Sequence, residues 1–210
     1  MNIIMGTALI AGFSYLGIRI MISIDPEHGI YFGKKGSIFL LFASMVSAFV
    51  WSITIKESSL FISCVWMMIH IYFVMSSAMD ILTHQIYDIF QYPALIAAAI
   101  LIFLSDGAPM VGISVILFCL IQYFVFMHFY GKADGMAFMV AALTEGSLGY
   151  DLTMYFLHMI FAYLLLCMIQ LLRRNVANCI RLKTPVAFYP YIMISLWCVI
   201  LWGEQLSLYI

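Results

Sequence analysis

The sequence predicts an all-α, polytopic bundle of transmembrane helices, and three observations carry that prediction. The chain of 210 residues is 66% hydrophobic and only 9% charged, with a mean hydropathy of +1.10. A soluble domain carries roughly a quarter charged residues and just under half apolar ones, so the surplus here exceeds what a core can hold and has to face lipid. The apolar residues fall into long runs that approach the roughly 20 residues a spanning helix needs. Between the runs the breaks are short and polar: Asp25-Pro26-Glu27-His28-Gly29, Lys56-Glu57-Ser58, Ser105-Asp106-Gly107, and the stretch from Arg173 to Thr184.

Taken in order, the runs cover residues 2–24, 37–55, 59–79, 89–105, 109–130, 151–172 and 186–207, about seven full spans. The first lacks a basic leading stretch and a small-residue cleavage site, so it reads as a retained span and not as a signal peptide. A further segment, 135–145, has helical propensity but rises only roughly 16 Å against a hydrocarbon core of about 30 Å. It is expected either to extend towards Tyr150 or to form a partial helix lining a wet cavity, where irregular backbone at membrane depth is tolerated. No repeat or linker divides the chain, so residues 1–210 read as a single domain.

The net charge of −1 conceals an asymmetry between loops. If all eight segments cross, one side collects seven basic residues: Lys34, Lys35, Lys132, Arg173, Arg174, Arg181 and Lys183. The other side has Lys56 alone, and Arg19 lies within the first span. The positive-inside rule makes the basic side cytoplasmic, with both termini outside. No basic stripe suggests nucleic acid. The five cysteines contain no C-x-x-C pair, and Cys64, Cys119, Cys167 and Cys198 lie in apolar stretches; neither a disulfide framework nor a zinc site is indicated.

Ionisable residues in apolar spans are costly and usually face a cavity or pathway. Asp25, Glu27, Glu57 and Asp106 fall in loops, Asp151 precedes an apolar run as a helix N-cap, and Glu204 reaches the interface from the last helix end. Three acids stand out. Asp80 ends a long apolar helix behind Ser76, Ser77 and Ala78, small residues that admit another helix closely. Its plain structural reading is an interfacial carboxylate. Asp88 opens the next span and reads first as a cap or turn acid. Asp134 sits between Gly131 and Gly135, where glycines permit a tight turn that presents a carboxylate to a cavity; its plain reading is an N-cap.

Metal chemistry is not expected. Asp80, His84 and Asp88 are spaced four apart and would share a face only on a continuous helix, whereas Thr83-His84-Gln85 reads as a connection. His70, His128 and His158 read as hydrogen-bonded core residues, and no nucleophile elbow or Cys/His pairing appears. Two carboxylates emerging at one membrane face, if they meet, share one proton and titrate as a unit. The ionised member can take a proton from water while the protonated one donates to a scissile carbonyl oxygen, the division of labour of an aspartic protease.

At this point the chain resembles the type IV prepilin peptidases, which belong to the Gly-x-Gly-Asp intramembrane aspartyl proteases. That family shows an Asp at the end of a span, then an aliphatic residue, a Pro, an Asp or Asn, and a further Pro. Ile86, Tyr87, Asp88 and Pro93 stand at those offsets from Asp80, with Tyr87 replacing the first Pro. Gly131-Lys132-Ala133-Asp134 stands for Gly-x-Gly-Asp, with Ala133 in place of the second Gly, and Gly135 follows. Ala187-Phe188-Tyr189-Pro190-Tyr191 is similar to a late Pro-Phe-x-Pro segment. Together the matches cover roughly residues 75–195.

The resemblance implies catalytic roles for Asp80 and Asp134, with Gly131, Lys132, Ala133, Gly135, Asp88, Pro93, Phe188 and Pro190 supporting them. It implies an endopeptidase of the type IV pilus kind that removes the basic leader of prepilin- or pseudopilin-like precursors, with water as nucleophile and no cofactor or metal. The implied place is the plasma (inner) membrane of a prokaryote. The zinc-binding C-x-x-C pair and methyltransferase region of longer members have no counterpart here, so a short form without N-methylation is expected. A proton-coupled transporter using the same carboxylates, and an inactive scaffold relative, are the alternatives.

Overall fold

Apolar runs uninterrupted by glycine–proline punctuation satisfy their own backbone hydrogen bonds as helices, and the polar breaks end them. The computed structural model describes residues 3–24, 33–55, 59–84, 86–104, 109–125, 131–173 and 186–207. Among these residues there are eight helices and no strand. They are α1 (Ile3–Ile24), α2 (Lys34–Thr54), α3 (Leu60–Thr83), α4 (Asp88–Leu104), α5 (Pro109–Phe124), α6 (Lys132–Ser147), α7 (Leu152–Arg173) and α8 (Tyr189–Ser207).

Local chemistry explains several of the ends. Ser59 Oγ accepts the Ile62 N–H at 3.3 Å and starts α3. Asp151 caps α7 as expected, its Oδ1 accepting the N–H groups of Thr153 and Met154 at 3.0 and 3.3 Å. At the far end of α3, His84 takes a left-handed conformation with φ 54°. That breaks the helix, so the continuous face that would align Asp80, His84 and Asp88 does not form.

Two sequence-based boundaries move, and both movements affect the site. The third helix runs to Thr83 instead of ending near residue 79, so Asp80 lies inside its last turn. The short segment is a 16-residue helix, Lys132–Ser147, rising about 24 Å. Gly131 is its N-cap residue and Asp134 belongs to its first turn, so Asp134 does not act as the cap. Every residue of α6 from Gly135 to Gly146 is buried. A helix without a polar face needs partners all round, and α4, α5, α7 and α8 pack around this one.

Among the described residues four helices are long and apolar enough to cross a membrane: α1, α2 from Gly36, α3 and α7. The other three expected spans appear as shorter apolar helices in α4, α5 and α8, and residues 126–130 lie outside the described residues. The bundle is apolar outside as well as inside, with Phe42 61%, Phe103 76% and Leu172 79% exposed. Such a surface fits a membrane protein. Residues 25–32 and the basic stretch 174–185, together with His128 and Cys179, lie outside the described residues, whereas Lys34 opens α2.

Candidate active site

Asp80 is held by main-chain donors. It is buried, only 7% exposed, and its Oδ2 accepts the N–H of Phe188 at 2.6 Å and of Tyr189 at 2.9 Å. Tyr189 is the first residue of α8. The free N–H groups of a helix start form a ready-made seat for a carboxylate. Pro190 sits one position on, in the first turn, where its missing N–H costs nothing. This accounts for the late Phe188-Tyr189-Pro190 segment physically. The small residues before Asp80 do what their size suggests: Ser76 and Ser77 are fully buried, and Ser77 Oγ lies 3.6 Å from Met193 Sδ on α8.

Asp134, 54 positions later in the chain, is brought to the same place by α6. It is partly buried and lies within the electrostatic field of Asp80. Tyr189 joins the two supports. Its N–H holds Asp80, while its hydroxyl donates to the Ala133 carbonyl at 2.6 Å and lies 3.2 Å from the Tyr72 hydroxyl. Tyr72, Tyr163 and Tyr189 all lie within reach of the Asp134 charge. Phe188 packs edge-on against Phe138 of α6 and in a tilted stack against Tyr163 of α7, with ring centroids 6.0 and 4.7 Å apart. The first turn of α8 is thus wedged between α3, α6 and α7, with a carboxylate on either side.

The supporting residues divide. Gly131 has φ −53° and Ala133 lies in the helix. Neither takes the left-handed backbone that demands glycine; among the described residues only His84 and Gly149 do so. Nor is space demanded at Gly131, since a Cβ there would make only ordinary van der Waals contact, 3.9 Å from Asp134 Oδ2. The N–H of Gly135 closes the first turn onto the Gly131 carbonyl at 3.1 Å. Lys132 turns away from Asp134: its Nζ pairs with Asp88 Oδ2 at 2.5 Å and sits 5.5 Å from the Tyr92 ring centroid. Asp88 is the first residue of α4 and Pro93 lies inside that helix. The Lys132–Asp88 pair is about half exposed on both sides, side chains 46% and 49%, and therefore contributes little to stability.

The core histidines follow expectation in part. His70 is buried with Nδ1 2.7 Å from Ser47 Oγ. His158 is buried too, but its partner is Glu145, an acid that the sequence reading passed over. The signal was available, since an acid inside an otherwise apolar segment is a functional candidate by default. Tyr189 was missed for a different reason: its main-chain N–H, not its side-chain type, holds Asp80. Among the described residues no cluster of three or more metal-ligating side chains forms. Comparison with protein-family models, curated proteins and solved structures yields no match for this chain.

Proposed function

We propose that this chain is a membrane-embedded aspartyl endopeptidase of the prepilin-peptidase kind, with Asp80 and Asp134 as its acid–base pair. One observation carries the reading: carboxylates from α3 and α6 stand around the first turn of α8, with Asp134 within the field of Asp80. Like charges held close cannot both ionise, so the pair shares one proton. The ionised carboxylate takes a proton from water as the water oxygen attacks the scissile carbonyl carbon. The protonated one donates to the carbonyl oxygen, and the resulting tetrahedral adduct collapses with a proton passed to the leaving amine. No metal or cofactor enters this scheme.

The substrate is a prepilin- or pseudopilin-like precursor in which a basic leader meets an apolar helix, cut at their junction. In this reading about seven helices cross the bilayer fully with α6 enclosed among them, both termini lie outside, and the site opens at the cytoplasmic face of a prokaryotic plasma membrane. The exposed Asp88–Lys132 pair at the starts of α4 and α6 supports a site that opens towards water.

The test is a cleavage assay in membranes, co-expressing the chain with a candidate precursor. Asp80→Asn keeps an oxygen for the Phe188 and Tyr189 N–H groups, so it removes proton transfer and preserves the seat. Asp80→Asn and Asp134→Asn are each expected to lower the rate by about two to four orders of magnitude at normal expression. Processing that survives either substitution rejects the pair. A proton-coupled transporter using the same two carboxylates is the second reading, favoured by acids set within an otherwise apolar bundle; it predicts proton flux into proteoliposomes that Asp80→Asn and Asp134→Asn each abolish.

A further inference from the structure

We propose that Glu145 and His158 are positioning residues that clamp α6 to the first turn of α8 and thereby set the separation of Asp80 and Asp134. The link to catalysis rests on the endopeptidase reading; the clamp itself does not.

His158, on α7, is fully buried and contacts both neighbours at once. Its Nε2 lies 3.0 Å from the Ile192 carbonyl of α8. A carbonyl only accepts, so Nε2 carries a hydrogen. Its Nδ1 faces Glu145 Oε1 of α6, and one proton therefore lies between those two atoms. Ser195 Oγ donates back to the His158 carbonyl at 2.7 Å. Ring and main chain of one residue thus stitch α7 to α8 at two points, and Glu145 extends the stitch to α6.

The location gives the clamp its consequence. Ile192 lies one helical turn beyond Tyr189, whose N–H holds Asp80. At the other end, the Tyr189 hydroxyl ties the same turn to Ala133, next to Asp134. Glu145 stands 11 residues along α6 from Asp134, about 16 Å. Tied to the start of α8 at one point α6 could pivot, whereas ties at Ala133 and Glu145, about 18 Å apart along α6, fix both its tilt and its register. A buried polar pair is weak as a source of stability but strong as a device that selects one arrangement. A proton relay is disfavoured by the same geometry, because His158 Nε2 ends on a main-chain carbonyl, which passes no proton on.

Three variants test this in lipid nanodiscs. Glu145→Gln can donate its amide to Nδ1 of neutral His158, so the clamp survives, and kcat is expected within about threefold of wild type. The double variant Glu145→Leu/His158→Leu leaves no unpaired buried group but cuts the tie. It is expected to keep its thermal unfolding temperature while kcat falls about 100-fold at unchanged KM. Should the double variant fail to fold, His158→Gln, too short to reach Glu145 and Ile192 together, is expected to show the same kcat loss. Loss of activity in Glu145→Gln comparable to Asp80→Asn would overturn the clamp in favour of a required charge, and so would full kcat in the cut variants.

If wild type cleaves no precursor, the endopeptidase reading fails and the clamp is judged separately. The infrared carboxyl titration of Asp80 and Asp134, identified by their Asn variants, is then expected to move in the cut variants and stay unchanged in Glu145→Gln. An unchanged titration in the cut variants overturns the proposal.

Discussion

Ala133 stands where the resembling family carries a glycine, and the helical backbone at this position removes the need for one. Ala133→Gly is therefore expected to leave cleavage unchanged within about twofold while lowering stability by up to about 1 kcal/mol, because glycine costs helix propensity. A large gain in cleavage would show that the methyl group had hindered the site. Tyr189→Phe is the complementary test. It keeps the N–H that holds Asp80 but deletes the hydroxyl that reaches the Ala133 carbonyl. The expected result is a loss of about 1 kcal/mol in unfolding free energy and about tenfold in kcat from a displaced Asp134. An unchanged kcat would show that the tie is dispensable. Asp80 and Asp134 were legible as candidates because an acid in an apolar context stands out, whatever the fold. The partners of Asp80 were not, because main-chain N–H groups of Phe188 and Tyr189 have no letter of their own.

Elements were read well by type and less well by length. The period and polarity of the sequence located all eight helices, yet α3 and α6 each run further than their most apolar stretch. Their extra turns carry Asp80 and Asp134. Inside a bundle a polar residue at a helix end is tolerated when neighbouring helices satisfy it, so hydropathy alone ends the element too early. Close packing between elements depends on glycines whose role is space. A Cβ on Gly203 of α8 would meet the Tyr150 ring at 2.6 Å, while one on Gly17 of α1 would meet the Met75 sulfur at 2.3 Å. A ring packed beside the backbone cannot yield as the end of a methionine can. Gly203→Ala is thus expected to destabilise by about 1–3 kcal/mol and Gly17→Ala by less, as thermal unfolding in detergent would report. The reverse order would mean that Tyr150 is the looser of the two.

For the whole molecule the governing fact is an apolar exterior wrapped around a core whose buried acids among the described residues, Asp80 and Glu145, are held by a helix start and by a histidine. The chain is expected to sediment with membranes and to stay there through an alkaline carbonate wash; release into the wash would contradict the reading of its outer face. Composition and periodicity determined this much without coordinates, because the hydrophobic effect and the backbone's demand for hydrogen bonds act on any chain of this kind. They fixed an all-α fold, the identity of the helices and the acids worth watching. The tertiary structure alone decided which acids stand around one helix start. Asp80 and Asp134 are joined through a helix start that lies over a hundred positions from Asp80. Glu145 gains its meaning only from a histidine on α7 and a carbonyl on α8. Spacing along a sequence sets what lies on one helix face, whereas the packing of three helices sets what lies across from it, and that second kind of neighbour has no period to read.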